Sequence, residues 1–264
     1  MKTVRSFCLH IYRDTGAIAQ RLLLELWRRK SRLLFWLVFP LVVLLLNGLI
    51  VADRAELSLG MALDSACPAT IVGVALFFSC VGGTVATLVT EREQGTLQRL
   101  LISPLSGLGY FLGIALAQSA IALGQTLLLV TVALSLGSRY SGSLLLGGGI
   151  LLLILVIYGG LGFLLGTQLA QRPEDVNTLV AAFGIPLLLL GGAFFPTSIF
   201  PETLLQLARF NPIFHMTQAL SQVWAGSSLV DIQVHLWVLV GGAVIALLLG
   251  SGAYQKMLQQ ERRL

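Results

Sequence analysis

Residue types that carry chemistry are few in this chain, and they are far apart. The three histidines, His10, His215 and His235, and the three cysteines, Cys8, Cys67 and Cys80, show no ligand-like or disulfide-framework spacing. Each histidine reads as an interfacial polar residue, and each cysteine as a small apolar packing residue. No G-x-x-x-x-G-K-[ST], H-E-x-x-H or G-x-S-x-G stretch occurs, so the sequence offers no phosphate cradle, zinc-protease pair or nucleophile elbow. The dense polar feature is the stretch 89–106, VTEREQGTLQRLLISPLS, set between long apolar runs. Its Leu97, Leu100 and Leu101 recur at i, i+3 and i+4, which predicts one amphipathic helix starting near Glu91. Glu91, Glu93 and Gln94 then complement the dipole of the first turn, Arg99 lies near the end, Pro104 stops the helix and Ser106 caps the next one. Such a helix can dock in a groove on a soluble partner, or be a solvated turn.

The elements that hold this insert are apolar. Of 264 residues, 56% are hydrophobic and 11% charged, where soluble domains carry about 25% charged residues. Apolar runs at about 33–52, 66–90, 107–137, 144–170, 177–195 and 234–254 are each of the length that crosses a bilayer in a helix. The expected fold is an all-α polytopic membrane protein with six transmembrane helices, not a β-barrel. It is read as one domain over 1–264, with a cytoplasmic segment 1–32, a bundle 33–254 and a cytoplasmic tail 255–264. The N-terminus is not expected to be a cleaved signal, because charges recur through it and no compact apolar stretch ends in a cleavage site.

Sidedness follows from Lys and Arg. Fourteen lie before the first run, between the second and third, between the fourth and fifth, and after the last; the other loops hold only Arg54, Arg139 and Arg209. Both termini and the 89–106 insert are therefore expected in the cytoplasm, at a cell membrane. The net charge of +5 is mostly this topology signal, and no folded basic surface for nucleic acid is seen. Ile18, Leu22 and Leu26 recur every fourth residue in AIAQRLLLELWRRKSR, which predicts an interfacial amphipathic helix with Trp27 at headgroup level. On the other side, Pro196, Pro201 and Pro212 chop 196–233 into short pieces, read as re-entrant helices at about 200–209 and 212–225.

The spans hold almost no ionisable residue. Their polar content is Asn47, Thr84, Thr87, Gln118, Gln125, Thr126, Thr131, Tyr158, Thr167 and Gln168, with the glutamines and threonines expected to bond between helices. Ion-coupled transport and proton relays want a carboxylate or histidine at depth, so energy for active transport would come from another protein. Gly162 and Gly166 form a G-x-x-x-G that suits packing in the bundle as well as a dimer seam.

TEREQGTLQRLLISPLS resembles the E-R-E-x-G-T-L-x-R-L-x-x-S-P-L-S segment of type-2 ABC exporter permeases. The stretch 185–226, IPLLLLGGAFFPTSIFPETLLQLARFNPIFHMTQALSQVWAG, is similar to that family's fifth span and its re-entrant helices. The resemblance implies a cytoplasmic coupling helix between spans two and three, with Glu91, Arg92, Glu93, Gly95, Thr96, Leu97, Arg99, Leu100, Ser103 and Pro104 coupling to an ATPase. It implies extracellular re-entrant helices between spans five and six, with an outer gate drawn from Gly191, Gly192, Phe194, Phe195, Pro196, Asn211 and Pro212. The implied partners are an ABC ATPase pair and a second permease copy or related chain. The chain itself is expected to be no enzyme and to hold no cofactor or metal; ATP and magnesium belong to the ATPase. The implied activity is export of a drug-like, lipid or lipid-linked glycan substrate. Competing readings are a membrane scaffold, an intramembrane enzyme and a channel; the last two lack a catalytic constellation or a polar filter.

Overall fold

The computed structural model describes residues 2–97, 99, 106–170, 172–194, 197 and 200–261. Among these the only regular structure is helical. Helix α1 spans Lys2–Arg28 and α2 Lys30–Ala55, parted by Arg29 alone. Helix α3 runs over Leu59–Glu93, α4 over Gly107–Ser135 and α5 over Leu144–Gln168. Then come α6 (Pro173–Leu190), the short α7 (Glu202–Ala208), α8 (Pro212–Trp224) and the long α9 (Leu229–Glu261). Five of these, α2 from Leu34, α3, α4, α5 and α9 to Met257, are long and apolar enough to cross a membrane.

Their ends follow local sequence. Ser58, Ser106 and Ser143 cap α3, α4 and α5 by accepting from Met61, Gly109 and Leu146 amides, as the Ser106 reading anticipated. Pro212 occupies the first turn of α8, where no amide donor is needed, and Asn211 caps it. The last helix extends through the region expected as a tail, to Glu261.

The most buried of the five long helices is α3, with α4, α5, α6 and α8 packed around it; α2 and α9 present wide apolar flanks outward. Small residues set the approach distances. A Cβ at Gly162 would come 2.8 Å from the Cys80 carbonyl oxygen, and one at Gly166 would come 3.2 Å from the Val85 Cα. The G-x-x-x-G therefore faces α3 inside the chain. Gly160 serves the α5–α9 crossing in the same way, with the Ala246 carbonyl standing where a Cβ would go. Two π-helical stretches, Ile71–Leu76 and Phe78–Gly82, widen the middle of α3, a local change often found where a helix must bend or bind.

Within the bilayer every polar group needs a protein partner. Pro40 lies inside α2 and has no N–H for the Trp36 carbonyl four residues earlier. Gln125 of α4 meets that need: its Nε2 donates to the Trp36 oxygen at 2.6 Å, while its Oε1 accepts from Ser79 Oγ at 2.7 Å. Three spans are thereby tied at one depth. Gln118 Nε2 likewise donates to Thr87 Oγ1 at 3.2 Å, and Gln168 Nε2 to the Ala253 carbonyl at 3.1 Å. The glutamines expected to bond between helices do so, whereas Thr87, Thr126, Thr131 and Thr167 donate to carbonyls of their own helices four residues earlier.

Gln125→Leu should destabilise the protein by about 1–3 kcal/mol, the cost of a buried unpaired carbonyl. The double variant Pro40→Ala/Gln125→Leu should recover most of that loss, because alanine in place of Pro40 restores the helix's own donor. Thermal unfolding in detergent of the two single variants and the pair measures the coupling.

Candidate functional site

The 89–106 segment is two pieces rather than one helix. Glu91, Arg92 and Glu93 are the last turn of α3, which closes through Gln94 N–H to the Thr90 carbonyl (3.0 Å) and Gly95 N–H to the Arg92 carbonyl (3.1 Å). Gly95 sits at φ +64°, where glycine carries no Cβ penalty. Helical conformation resumes at Thr96 and Leu97. The expectation of one helix starting at Glu91 is corrected: the period of Leu97 and its neighbours is blind to a single residue of opposite handedness. Leu100, Ser103 and Pro104 lie outside the described residues.

Glu91 is buried, not presented for docking. Its Oε1 pairs with Arg21 of α1 and its Oε2 accepts from the Tyr110 hydroxyl of α4. Arg92 donates to the Ala170 carbonyl at 3.0 Å, just past the end of α5, where a cation also complements the helix dipole. Leu97 is likewise internal, packed in a cluster with Ile18, Tyr110, Phe163, Tyr254 and Met257. Glu93 and Arg99 are exposed, with Thr96 half-buried.

The far end of the segment is held as firmly. Asp14 Oδ2 of α1 accepts from the Ser106 amide at 2.8 Å, and Tyr254 of α9 donates to the Gly107 carbonyl at 2.8 Å. Helix α1 lies against α4 because Gly109 and Gly113 leave room for Asp14 and Ile18. Ile18 is buried, Leu22 and Leu26 are half-buried and Trp27 is exposed, in accord with an amphipathic α1. The ends of α3, α4, α5 and α9, together with α1, thus converge on the two roots of residues 94–105.

At the opposite end of the bundle, α6 stops at Gly191 and the chain turns at Gly192, φ +75°. Asn211 is buried and does two jobs. Its Oδ1 accepts from the Ile213 amide at 3.0 Å, and its Nδ2 donates to the Leu187 carbonyl at 2.6 Å. A Cβ on Gly191 would come 2.5 Å from Ile213, so α8 starts flush against the end of α6. A cavity of about 240 Å³ opens beside this joint between α2, α3 and α8. Gly192 and Phe194 line it with Asn47, Ser65, Thr217 and Gln218. Its walls are mainly apolar, with a few amides and hydroxyls, a composition that suits a weakly polar ligand. Phe195 and Pro196 lie outside the described residues; Pro212 is part of the joint but not of the cavity.

Two of the histidines, read as interfacial polar residues far apart in sequence, touch each other. His215 and His235, 20 residues apart, meet Nδ1 to Nδ1 at 2.8 Å across α8 and α9. His215 Nε2 lies 2.9 Å from the Arg209 carbonyl, which can only accept. His215 therefore donates there, and its Nδ1 accepts from His235 in the neutral pair. Sequence spacing carries no signal for a contact between separate helices.

The chain's residues 13–224 match the family model described as ABC-2 type transporter. It belongs to the ABC-2 type transporter family. Among curated relatives it is similar to the probable multidrug ABC transporter permease YbhR of Escherichia coli K12, at 32% identity over 65% of this chain and 46% of that protein. The chain thus spans about half the length of these E. coli relatives. It is also similar to the putative transport permease ycf38 of Porphyra purpurea, at 26% identity over 85% of this chain and 78% of that one. The ABC-2 match takes in both roots of the 94–105 segment and the α6–α8 joint, and stops at Trp224, before α9.

In this ABC-2 chain Glu91→Gln removes one charge of the latch while Arg21 keeps partial access to water. A loss of about 1–2 kcal/mol, or roughly 5–30-fold faster amide exchange, is expected in residues 10–28. Hydrogen–deuterium exchange on the purified protein measures it. Glu93→Gln, at an exposed neighbour, should leave α1 exchange unchanged.

Proposed function

We propose that this chain is the transmembrane permease subunit of an ATP-driven exporter, crossing a cell membrane six times with both termini in the cytoplasm. The 18-residue α6 serves as the remaining span; its length of about 27 Å is close to the apolar thickness of a bilayer. The bias of Lys and Arg supports the sidedness. In this arrangement α7 and α8 are the re-entrant pair, with exposed Leu207 and Phe210 suited to lipid contact.

The observation that carries the reading is the double rooting of residues 94–105. A partner pushing on that segment moves α3 through Glu91, α4 through Ser106 and Tyr110, α5 through Arg92, α9 through Tyr254 and α1 through Arg21 and Asp14. An ATPase subunit is the proposed partner, holding ATP and magnesium; exposed Glu93 and Arg99 are the proposed points of contact. Force reaches the other end through α3, whose Ser65, Ala66 and Ala69 line the outer cavity. Ile50 both lines that cavity and is exposed on α2, which supports a second copy of the chain completing the path there. The cavity's composition and the printed name of the E. coli relative support an amphipathic or hydrophobic, drug-like cargo, with lipid and lipid-linked glycan as the other members of that class.

The test is co-purification from native membranes in mild detergent, followed by ATP hydrolysis. Wild type should retain an ATPase. Glu93→Arg/Arg99→Glu should lose it without a change in thermal stability, whereas Glu91→Gln should retain it with weaker substrate stimulation. Stable wild-type protein that retains no ATPase in any condition would overturn the reading.

A further inference from the structure

A second cavity, of about 340 Å³, lies beside Glu91 between α1, the start of α2, the last part of α3 and α4. Coupling to an ATPase gives it no task. Its rim is charged and balanced: Arg21 pairs with Glu91, and Arg29 with Glu25 at 3.1 Å. The Arg29–Glu25 pair is about half exposed, so it exchanges readily with water or a ligand. Arg21 uses less of its donor fork than it has, since its Nε is buried without a hydrogen-bond partner. The floor is different. Trp36 and Ile121 line it; Thr87, also in the wall, donates to the Gly83 carbonyl and accepts from Gln118 Nε2. Ile121 lies about 20 Å along α4 from Gly107, well below headgroup depth for a helix that crosses the bilayer.

Polarity therefore falls from a zwitterionic rim to an apolar floor across the depth of one leaflet. A water-soluble anion would leave the floor wet. An anionic lipid would bring net negative charge against Glu25 and Glu91. We infer that this cavity binds a zwitterionic phospholipid bearing a primary ammonium, of the phosphatidylethanolamine type. The phosphate meets the Arg29 and Arg21 guanidinium groups. The ammonium, with three donors, meets Glu25, which a quaternary ammonium cannot do by hydrogen bonding. An acyl chain descends from there past Trp36 toward Ile121. This inference requires membrane insertion alone and stands apart from the ATPase reading.

The experiment is native mass spectrometry of the delipidated full chain, titrated with phosphatidylethanolamine, phosphatidylcholine and phosphatidylglycerol of identical acyl chains. Wild type should hold phosphatidylethanolamine about tenfold more tightly than either other lipid, equivalent to about 1.4 kcal/mol. Glu25→Gln should bring it down to the phosphatidylcholine level, and Arg29→Gln should weaken both zwitterionic lipids. Ile121→Trp narrows the floor without touching a charge and should weaken them too, with thermal unfolding as the folding control. Soluble phosphorylethanolamine in large excess should leave the lipid in place. Equal retention of the three lipids, or retention unchanged in these variants, would overturn the inference. Displacement by the soluble headgroup would also overturn it, assigning the site to a free phosphate ester.

Discussion

The Glu91 carboxylate is the point on which the charged end of this molecule depends. It is a buried carboxylate at the end of the most buried long helix, and a buried carboxylate must be paired or it takes up a proton or destabilises the fold. Its partners come from two other helices, Arg21 of α1 and Tyr110 of α4. With Asp14 on the Ser106 amide and Tyr254 on the Gly107 carbonyl, it anchors the described residues on either side of 98–105. The Gly95 turn follows the Glu91 anchor directly. Glu91 and Leu97 are buried, half-buried Arg92 reaches the end of α5, and Glu93 and Arg99 are left to face out.

The opposite end uses the same economy of polar groups. Asn211 satisfies one helix start and touches one helix end with a single side chain, so α8 cannot move without α6. The His215–His235 contact ties α8 to α9. Beside the Asn211 joint lies the cavity lined by Asn47 and Gln218, whose walls come from α2, α3 and α8. Between the two ends runs α3, with π-helical turns at mid-length and the Ser79–Gln125–Trp36 link beside them. That link exists because Pro40 removes a donor from α2 and a bilayer offers no water to replace it.

Several polar residues in the apolar region answer a deficit in a neighbouring helix, whereas the Thr84 and Tyr158 hydroxyls are buried without a hydrogen-bond partner. Gln125 answers Pro40, Gln168 takes the Ala253 carbonyl and Arg92 the Ala170 carbonyl. The cavity beside Glu91 carries balanced charges on its rim, and Arg21 there keeps a buried Nε without a hydrogen-bond partner.

By itself the sequence determined the class of molecule and the limits of several helices, because apolar run length, serine caps and prolines act locally. Runs expected at 66–90, 177–195 and 234–254 instead became Leu59–Glu93, Pro173–Leu190 and Leu229–Glu261. The expected runs 107–137 and 144–170 became Gly107–Ser135 and Leu144–Gln168, and the expected short pieces 200–209 and 212–225 became Glu202–Ala208 and Pro212–Trp224. The family was legible in the 90–106 stretch and in 185–226. Tertiary structure alone decided which way the charged residues face. Glu91 and Glu93 are alike as letters, yet one is buried against Arg21 and the other exposed, since a partner 70 positions away leaves no local pattern. The same holds for the histidine pair, for the inward face of Gly162 and Gly166, and for both cavities. Periodicity reports on a helix and its nearest surroundings, whereas a site between helices is set by crossing distances and by which deficits happen to meet.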